Sequence, residues 1–387
     1  MHSEMEKLRC AIVRGGTSKG VFIMKNELPK DPVLRDKTIL AIYGSPDVRQ
    51  IDGLGGADSL TSKLAIISPP TKEGADVDYT FGQVSITDHL VDYGGNCGNI
   101  SSAVGGFAID MGMVEPVEPI TTVKIHMTNT GKMLTAEVPV KNGKAAVEGD
   151  YEIDGCPGSG AKITLDWSEA VGGSTGKLLP TGNAKDIIEA GGKNYTVSIV
   201  DAGNIVIFVR AEEFGLQGTE TPNEIDANGP LNEIIEEIRG KVCQQLGIVP
   251  HWQDAKKITP YQPFFAMVSP AQDYKCFNGH SVKAQDVDFV SRLLFMLKMH
   301  KTYPVTGTVA TGAVARVKGS VVYELMSEAA KANKVVRIGH PAGVIGVEAT
   351  ADYQGEQTIM TKIGVYRTAR MIMEGYVYVR KSVFEQK

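Results

Sequence analysis

The sequence predicts a mixed α/β (α+β) protein of two similar domains, with sheet outweighing helix. Short segments rich in Val, Ile and Thr recur between glycine turns along the whole chain, whereas helical spacing is confined to a few places. Two stretches, 91–109 (VDYGGNCGNISSAVGGFAI) and 303–317 (YPVTGTVATGAVARV), each run from a strand-like segment through a Gly, Thr or Asn turn into a helix of small residues, which suggests an internal duplication. At 387 residues and 42% hydrophobic the chain is long enough for two ordinary domains.

In chain order, strands are expected at 20–24 (GVFIM), 63–68 (KLAIIS), 79–86 (YTFGQVSI), 121–128 (TTVKIHMT), 195–201 (YTVSIVD), 204–210 (NIVIFVR), 335–340 (VVRIGH) and 375–381 (GYVYVRK), where β-branched and aromatic residues dominate. A helix is expected from about Gly98. Another spans 229–247, opened by Gly-Pro before LNEIIEEI. Val287, Val290, Leu294 and Leu297 predict a helix over 286–300, and a last helix over 321–333 ends near Asn333. The glycine-rich stretch 172–192 places the domain boundary near 185, giving domains 1–185 and 186–387, with the last strand, about 375–387, a candidate to return to the first domain.

A net charge of −5 with Lys and Arg scattered leaves no basic stripe, so nucleic acid is not an expected partner. No apolar run approaches the ~18 residues of a membrane span, and the start MHSEMEKLRC is charged where a signal peptide needs an apolar core. A cytoplasmic protein with no membrane partner is expected. The five cysteines are widely spaced with no CxxC pair, and no histidine has a metal-ligand partner at short spacing, so neither a disulfide framework nor a metal site follows.

Several residues invite chemistry. Cys97 lies between asparagines and glycines at an expected helix start, where the dipole and amide donors favour thiolate over thiol. The competing reading is a small buried residue at a tight turn, with Asn96 and Asn99 as turn or cap residues. Lys63 opens an apolar strand after a glycine loop and either loses its proton there by desolvation or snorkels to solvent. The segment 14–20 (RGGTSKG) is not a Walker motif, because Ser-Lys-Gly stands where Gly-Lys-Ser/Thr is needed. It does offer the amides of Gly15 and Gly16, the hydroxyls of Thr17 and Ser18 and the cations Arg14 and Lys19, a set suited to a carboxylate or to a plain hairpin turn. Asn129 and Thr130 in TNTG supply neutral donors or a turn, and His340 in GHPAG is a structural turn residue or a donor to substrate.

Taken together, RGGTSKG, GSPDVRQIDGLGGADSLTSKLA (44–65), DYTFGQVSI (78–86), GNCGN (95–99), NTG (129–131) and GHPAG resemble the PrpF family, in order and spacing over nearly the whole chain. That family comprises 2-methylaconitate cis-trans isomerases, methylitaconate Δ-isomerases and 4-oxalomesaconate tautomerases. The resemblance implies a diaminopimelate-epimerase-like fold, two similar domains each with a curved sheet around a central helix and the active site in the cleft between them. It also implies an isomerase without cofactor, acting on a small anionic carboxylate, with Lys63, Cys97 and Ser18 matching the family's catalytic residues. Backbone donors near Gly15–Gly16, Gly98–Asn99 and Gly312–Ala313 are expected to carry the transient negative charge, with Thr311 lining the second glycine loop. Relatives that racemise amino acids on this fold use a cysteine from each domain. Here 307–316 (GTVATGAVAR) has Ala310 and Thr311 where a thiol is expected, which argues for a Lys/Cys pair. A racemase or epimerase on the same fold and a non-catalytic polycarboxylate binder are the rival readings, and a homodimer is entertained as the assembly.

Overall fold

The structure, a computed structural model, describes residues 4–355 and 357–385. The chain divides into two units, Met1–Leu165 with Arg367–Lys387, and Asp166–Tyr366. The division falls before the glycine-rich stretch. Segment 172–182 belongs to the second unit, where the carboxylate of Asp201 accepts from the amides of Ser174 and Thr175 at 2.9 and 2.6 Å, so glycine content there marks a tied-down loop and not a linker.

In the first unit β1 (Met5–Gly15) and β2 (Ser18–Met24) form a hairpin, and α1 (Pro32–Tyr43) leads back to β3 (Lys63–Ser68), which lies parallel to β2. Asp31 caps α1 by accepting from the Leu34 amide at 2.8 Å, with Pro32 at the first helical position. Then β4 (Val77–Val84) pairs antiparallel with β3, and after β5 (Val91–Asp92) and α2 (Gly98–Asp110) the strand β6 (Ile120–Met127) returns parallel to β4. β7 (Lys132–Lys141) closes the run on β6, and the C-terminal strand Ala369–Arg380 pairs antiparallel with β1.

The alternation of side chains across this sheet decides what faces what. Val21, Ile23, Leu64 and Ile66 join the core under α1 with Ile39, Leu40 and Tyr43. Phe22, on the opposite face of β2, meets Phe107 of α2 with ring centroids 5.3 Å apart. Every residue of α2 from Gly98 to Ile109 is buried, and the helix touches strands β1, β2, β3, β6 and β7 and the C-terminal strand. Small residues make that close approach feasible: a Cβ on Gly105 would come within 2.8 Å of Val138.

The second unit repeats the wiring. Lys193–Ala202 and Asn204–Arg210 form a hairpin, Phe264–Pro270 lies parallel to the latter, Phe289–Phe295 pairs antiparallel with it, and Val335–His340 returns parallel to Phe289–Phe295 before pairing with Gly343–Gln354. Helix Gly229–Gln245 covers one face and the wholly buried helix Val305–Val314 the other. The topology therefore matches the duplication read from the two small-residue helices.

Two expected helices differ. Residues 286–300 hold strand Phe289–Phe295, a turn with positive φ at Met296 and Leu297, and strand Lys298–Met299. Six of the seven strand residues are buried, so no two-residue alternation was visible and the chance i, i+3 spacing prevailed. Segment 321–333 is two short helices, Val321–Leu325 and Glu328–Ala332, because Ser327 starts a new helix by capping the Ala330 amide at 3.2 Å.

Candidate active site

Lys63 is delivered by the loop 44–62, which folds around Gln50, a side chain 1% exposed. Gln50 donates from Nε2 to Ser45 Oγ at 2.9 Å, and its Oε1 accepts from the Ala57 amide at 2.8 Å and from Ser62 Oγ at 2.7 Å. Because Leu64 and Ile66 point to the α1 core, Lys63 points to the α2 face. Its Nζ donates to Gln83 Oε1 at 2.8 Å, across the β3/β4 register pair, and lies 5.4 Å from the centroid of the Phe81 ring. Gln83 Nε2 donates to the carbonyls of Ser59 and Ser62, both at 3.2 Å, which turns Oε1 toward the amine. From the other face the Tyr43 phenol donates to the Lys63 carbonyl and accepts from the Val21 amide at 3.1 Å. Lys63 is thus 6% exposed with its amine fixed, and it does not snorkel.

Cys97 is the N-cap of α2, in extended conformation (φ −118°), half-buried, and its side chain does not cap the helix. The amides of Gly98, Asn99 and Ile100 occupy the first turn, where no intrahelical acceptor exists and the dipole is positive. Ser101 turns both its amide (2.9 Å) and its hydroxyl (2.8 Å) onto the Cys97 carbonyl. Asn96 Nδ2 donates to Thr130 Oγ1 at 3.2 Å, while its Oδ1 is buried with no hydrogen-bond partner among the described residues. Ser18 Oγ, in a residue 2% exposed, is likewise unpartnered. Ser18 and Gly20 share the α2 face of β2, and Gly20 is the register partner of Lys63. A Cβ on Gly20 would lie 2.2 Å from the Lys63 carbonyl oxygen and 3.3 Å from Ile100 of α2. Lys63, Ser18 and the α2 start therefore adjoin on one face of the first unit.

Other expected donors prove committed to the protein. The Gly16 amide donates to the Thr368 carbonyl at 2.9 Å and Gly15 sits in the β1 ladder, so this hairpin does not present free amides. Arg14 Nη1 donates to the carbonyls of Gly16 (3.0 Å) and Thr368 (2.9 Å), stapling the turn. Half-buried Lys19 pairs with Arg14 in the hairpin register. Thr17 exchanges hydrogen bonds with the Asn99 side chain, its amide to Oδ1 at 3.4 Å and its Oγ1 from Nδ2 at 3.1 Å. Asn129 behaves as a surrogate strand: Oδ1 accepts from the Phe81 amide (2.8 Å) and Nδ2 donates to the carbonyls of Phe81 (2.9 Å) and Tyr93 (2.8 Å), which uses its whole amide.

The residues expected from the second half lie in the other unit. Thr311, Gly312 and Ala313 are inside the helix Val305–Val314, not in a loop, so their amides serve the helix ladder. Thr311 Oγ1 donates to the Gly307 carbonyl at 2.7 Å and shares a 2.9 Å contact with the Tyr303 phenol. The amides left without an intrahelical acceptor there are those of Val305, Thr306 and Gly307. His340 is 2% exposed, and its Nδ1 accepts from the Ala342 amide at 3.2 Å within its own turn.

Two residues of the first unit escaped the sequence reading. Gln83 reaches Lys63 only through strand register. Arg367 is far away in sequence, yet its Nε donates to Asn99 Oδ1 at 3.2 Å. Neither stands in a pattern that signals a site.

Among the described residues no group of three or more His, Cys, Asp or Glu could hold a metal, and no helix is long and apolar enough to cross a membrane. The family model described as PrpF protein matches residues 5–380. The chain is 51% identical over 381 residues to 3-methylitaconate isomerase of Eubacterium barkeri, covering 98% of this chain and 99% of that one. It is 36% identical to 4-oxalomesaconate tautomerase of Pseudomonas putida, covering 98% of each chain. The solved structure of a methylitaconate-delta-isomerase matches with a TM-score of 0.88 at 51% identity, over 100% of this chain and 98% of that one. A hydroxyproline epimerase from Agrobacterium vitis, at 13% identity and a TM-score of 0.55 over 99% and 94% of the two chains, shares the fold.

Proposed function

Given that the chain belongs to the PrpF protein family and is an isomerase, we propose that it moves a C=C bond by a 1,3-proton shift in a small unsaturated di- or tricarboxylate of the methylitaconate, 2-methylaconitate or 4-oxalomesaconate type. The observation that carries this reading is a fixed amine, Lys63 Nζ on Gln83, on the sheet face that meets the α2 start, where Cys97 precedes a first turn of amides with no intrahelical acceptor.

In the proposed reaction one of this pair takes a proton from a carbon that is both allylic and next to a carboxylate. The electron pair spreads through the double bond into the carboxylate. The other member of the pair returns a proton at the far end of the three-carbon unit, so the product is an isomer and no electrons are gained or lost. Lys63 and Cys97 form the acid–base pair. The first-turn amides of α2 are suited to the developing carboxylate charge, which is where preorganised donors contribute most. Ser18 Oγ and Asn96 Oδ1 are buried polar atoms without a hydrogen-bond partner among the described residues, the first able to donate to a carboxylate oxygen.

Proton NMR of methylitaconate, 2-methylaconitate and 4-oxalomesaconate with the enzyme in D₂O tests the reading. One of the three should isomerise and acquire deuterium at the allylic carbons, and activity should survive dialysis against EDTA. Tight binding of all three without exchange or isomerisation would refute it.

A further inference from the structure

Arg367 is the least expected group near this site. It ends strand Gln357–Arg367 where the chain re-enters the first unit, and it is 5% exposed. Its Nε reaches Asn99 Oδ1 at 3.2 Å in the buried interior. The same oxygen accepts from the Thr17 amide, and the other end of that amide donates to Thr17 Oγ1. Asn99 is therefore gripped from two sides. The stem of Arg367 also fills the space over the hairpin: a Cβ on Gly16 would meet its Cδ at 3.1 Å and Asn99 Oδ1 at 2.2 Å.

The geometry points to Arg367 as the positioning residue of this site, a buried guanidinium that locks Asn99, and through it the 15–18 hairpin bearing Ser18, onto the start of α2 two residues after Cys97. The inference rests on the Lys63/Cys97 reading above. Two consequences follow from the chemistry. The planar fork can keep one N–H on Asn99 while its remaining donors serve other acceptors, which a lysine ammonium cannot match in direction. The charge is also retained at neutral pH. Burial pulls the guanidinium down to about 10, while Tyr151 and Cys97 act in the opposite sense.

The test uses the full chain with Arg367→Met and Arg367→Lys, read by thermal melting, by the rate of Cys97 alkylation by iodoacetamide at pH 7.5 (peptide mass spectrometry) and by kcat and KM. R367M should fold and alkylate Cys97 at least about fivefold faster, because the half-buried thiol sits at an α2 start that Asn99 no longer anchors. R367K should alkylate nearly as fast as R367M and keep kcat about tenfold or more below the parent with KM little changed, because the charge returns and the fork that held Asn99 does not. Parent-like alkylation of Cys97 in folded R367M overturns the inference. Should R367M fail to fold, R367K decides alone: reduced kcat supports the positioning role and parent kcat overturns it. Alkylation needs no substrate, so it remains informative even if Cys97→Ser retains full turnover, the result that would instead retire the acid–base pair.

Discussion

Replacing Gln83 by methionine isolates what holds the amine of Lys63. The two side chains are close in volume, so packing against β3 is largely preserved while every polar contact of the amide is lost. Three hydrogen bonds disappear: 2.8 Å from Lys63 Nζ, and 3.2 Å each to the carbonyls of Ser59 and Ser62. The first carries most of the cost, because its donor belongs to a side chain only 6% exposed, and a hydrogen bond to a charged group contributes about 1.5–3 kcal/mol. The bond to Ser59 is solvent-exposed and contributes little, and the part-buried one to Ser62 adds about 0.5–1.5 kcal/mol. The expected loss of stability is therefore about 2–4.5 kcal/mol, read as a lower urea midpoint at unchanged m-value. Turnover should fall further than stability implies. With its acceptor gone the amine explores other rotamers, and if the lost 1.5–3 kcal/mol of orientation is felt at the transition state, kcat drops about 10- to 150-fold with KM little affected. The assay is NMR-detected isomerisation beside urea titrations of the same preparations. A Gln83→Met protein with parent kcat would refute the reasoning, since Lys63 would then be oriented by something other than Gln83 or would not take part.

Lys63→Ala and Cys97→Ser should each lower kcat by about 10²–10⁴-fold with the fold intact by circular dichroism, and the double variant should be scarcely worse than the poorer single one, as expected of groups acting as a unit; multiplicative losses would point to independent roles. Gly15→Ala places a Cβ 2.3 Å from the Asn99 carbonyl oxygen and 3.2 Å from Ile100 Cα, backbone that cannot step aside without moving α2, so a loss of about 1–3 kcal/mol in chemical denaturation and reduced kcat are expected. For Asp78, burial raises the carboxyl but the hydrogen bonds from Thr71 and His126 outweigh it and leave it below its ordinary value. A carboxyl depressed on folding adds stability above its unfolded value near ~3.9 and loses it as pH falls through the folded value. Asp78→Asn should therefore flatten the decline of stability below about pH 4 in acid titrations of the melting temperature, and an unchanged slope would contradict the assignment.

How much of this was legible in the residues depends on how far the deciding contact lies along the chain. Strands such as Lys63–Ser68, Asn204–Arg210 and Val335–His340 stand where β-branched runs between glycines put them, because strand formation there is a local matter of side-chain type. The strand at Phe289–Phe295 was misread because burial on both faces erases alternation. From the sequence, Asn129 is either a neutral donor to a ligand or a turn residue. That all three of its hydrogen bonds go to β4 and the residues beside it follows only from the β4/β6 crossing, which no nearby residue encodes. Gln83 and Arg367 were invisible for the same reason: register brings one to Lys63, and the return of the chain at its end brings the other to Asn99.

The matched wiring of the two units sharpens the argument about a second thiol. Comparison by sequence set Ala310 and Thr311 against the cysteine, since both stretches look like glycine loops. By topology the helix that follows β4 and β5, and the one that follows Phe289–Phe295 and Lys298–Met299, are counterparts, and their N-caps are Cys97 and Pro304. Pro304 has neither a thiol nor an amide hydrogen, and its fixed φ of −71° serves only to launch the helix. Val305 and Gly307 after it bring no titratable side chain, and Thr306 Oγ1 already accepts from Asn204 Nδ2 at 2.8 Å. The counterpart helix start thus carries unladdered amides and no acid or base. That agrees with the proposed pairing of Cys97 with Lys63, both carried by the first unit, in place of a pair of thiols drawn one from each repeat.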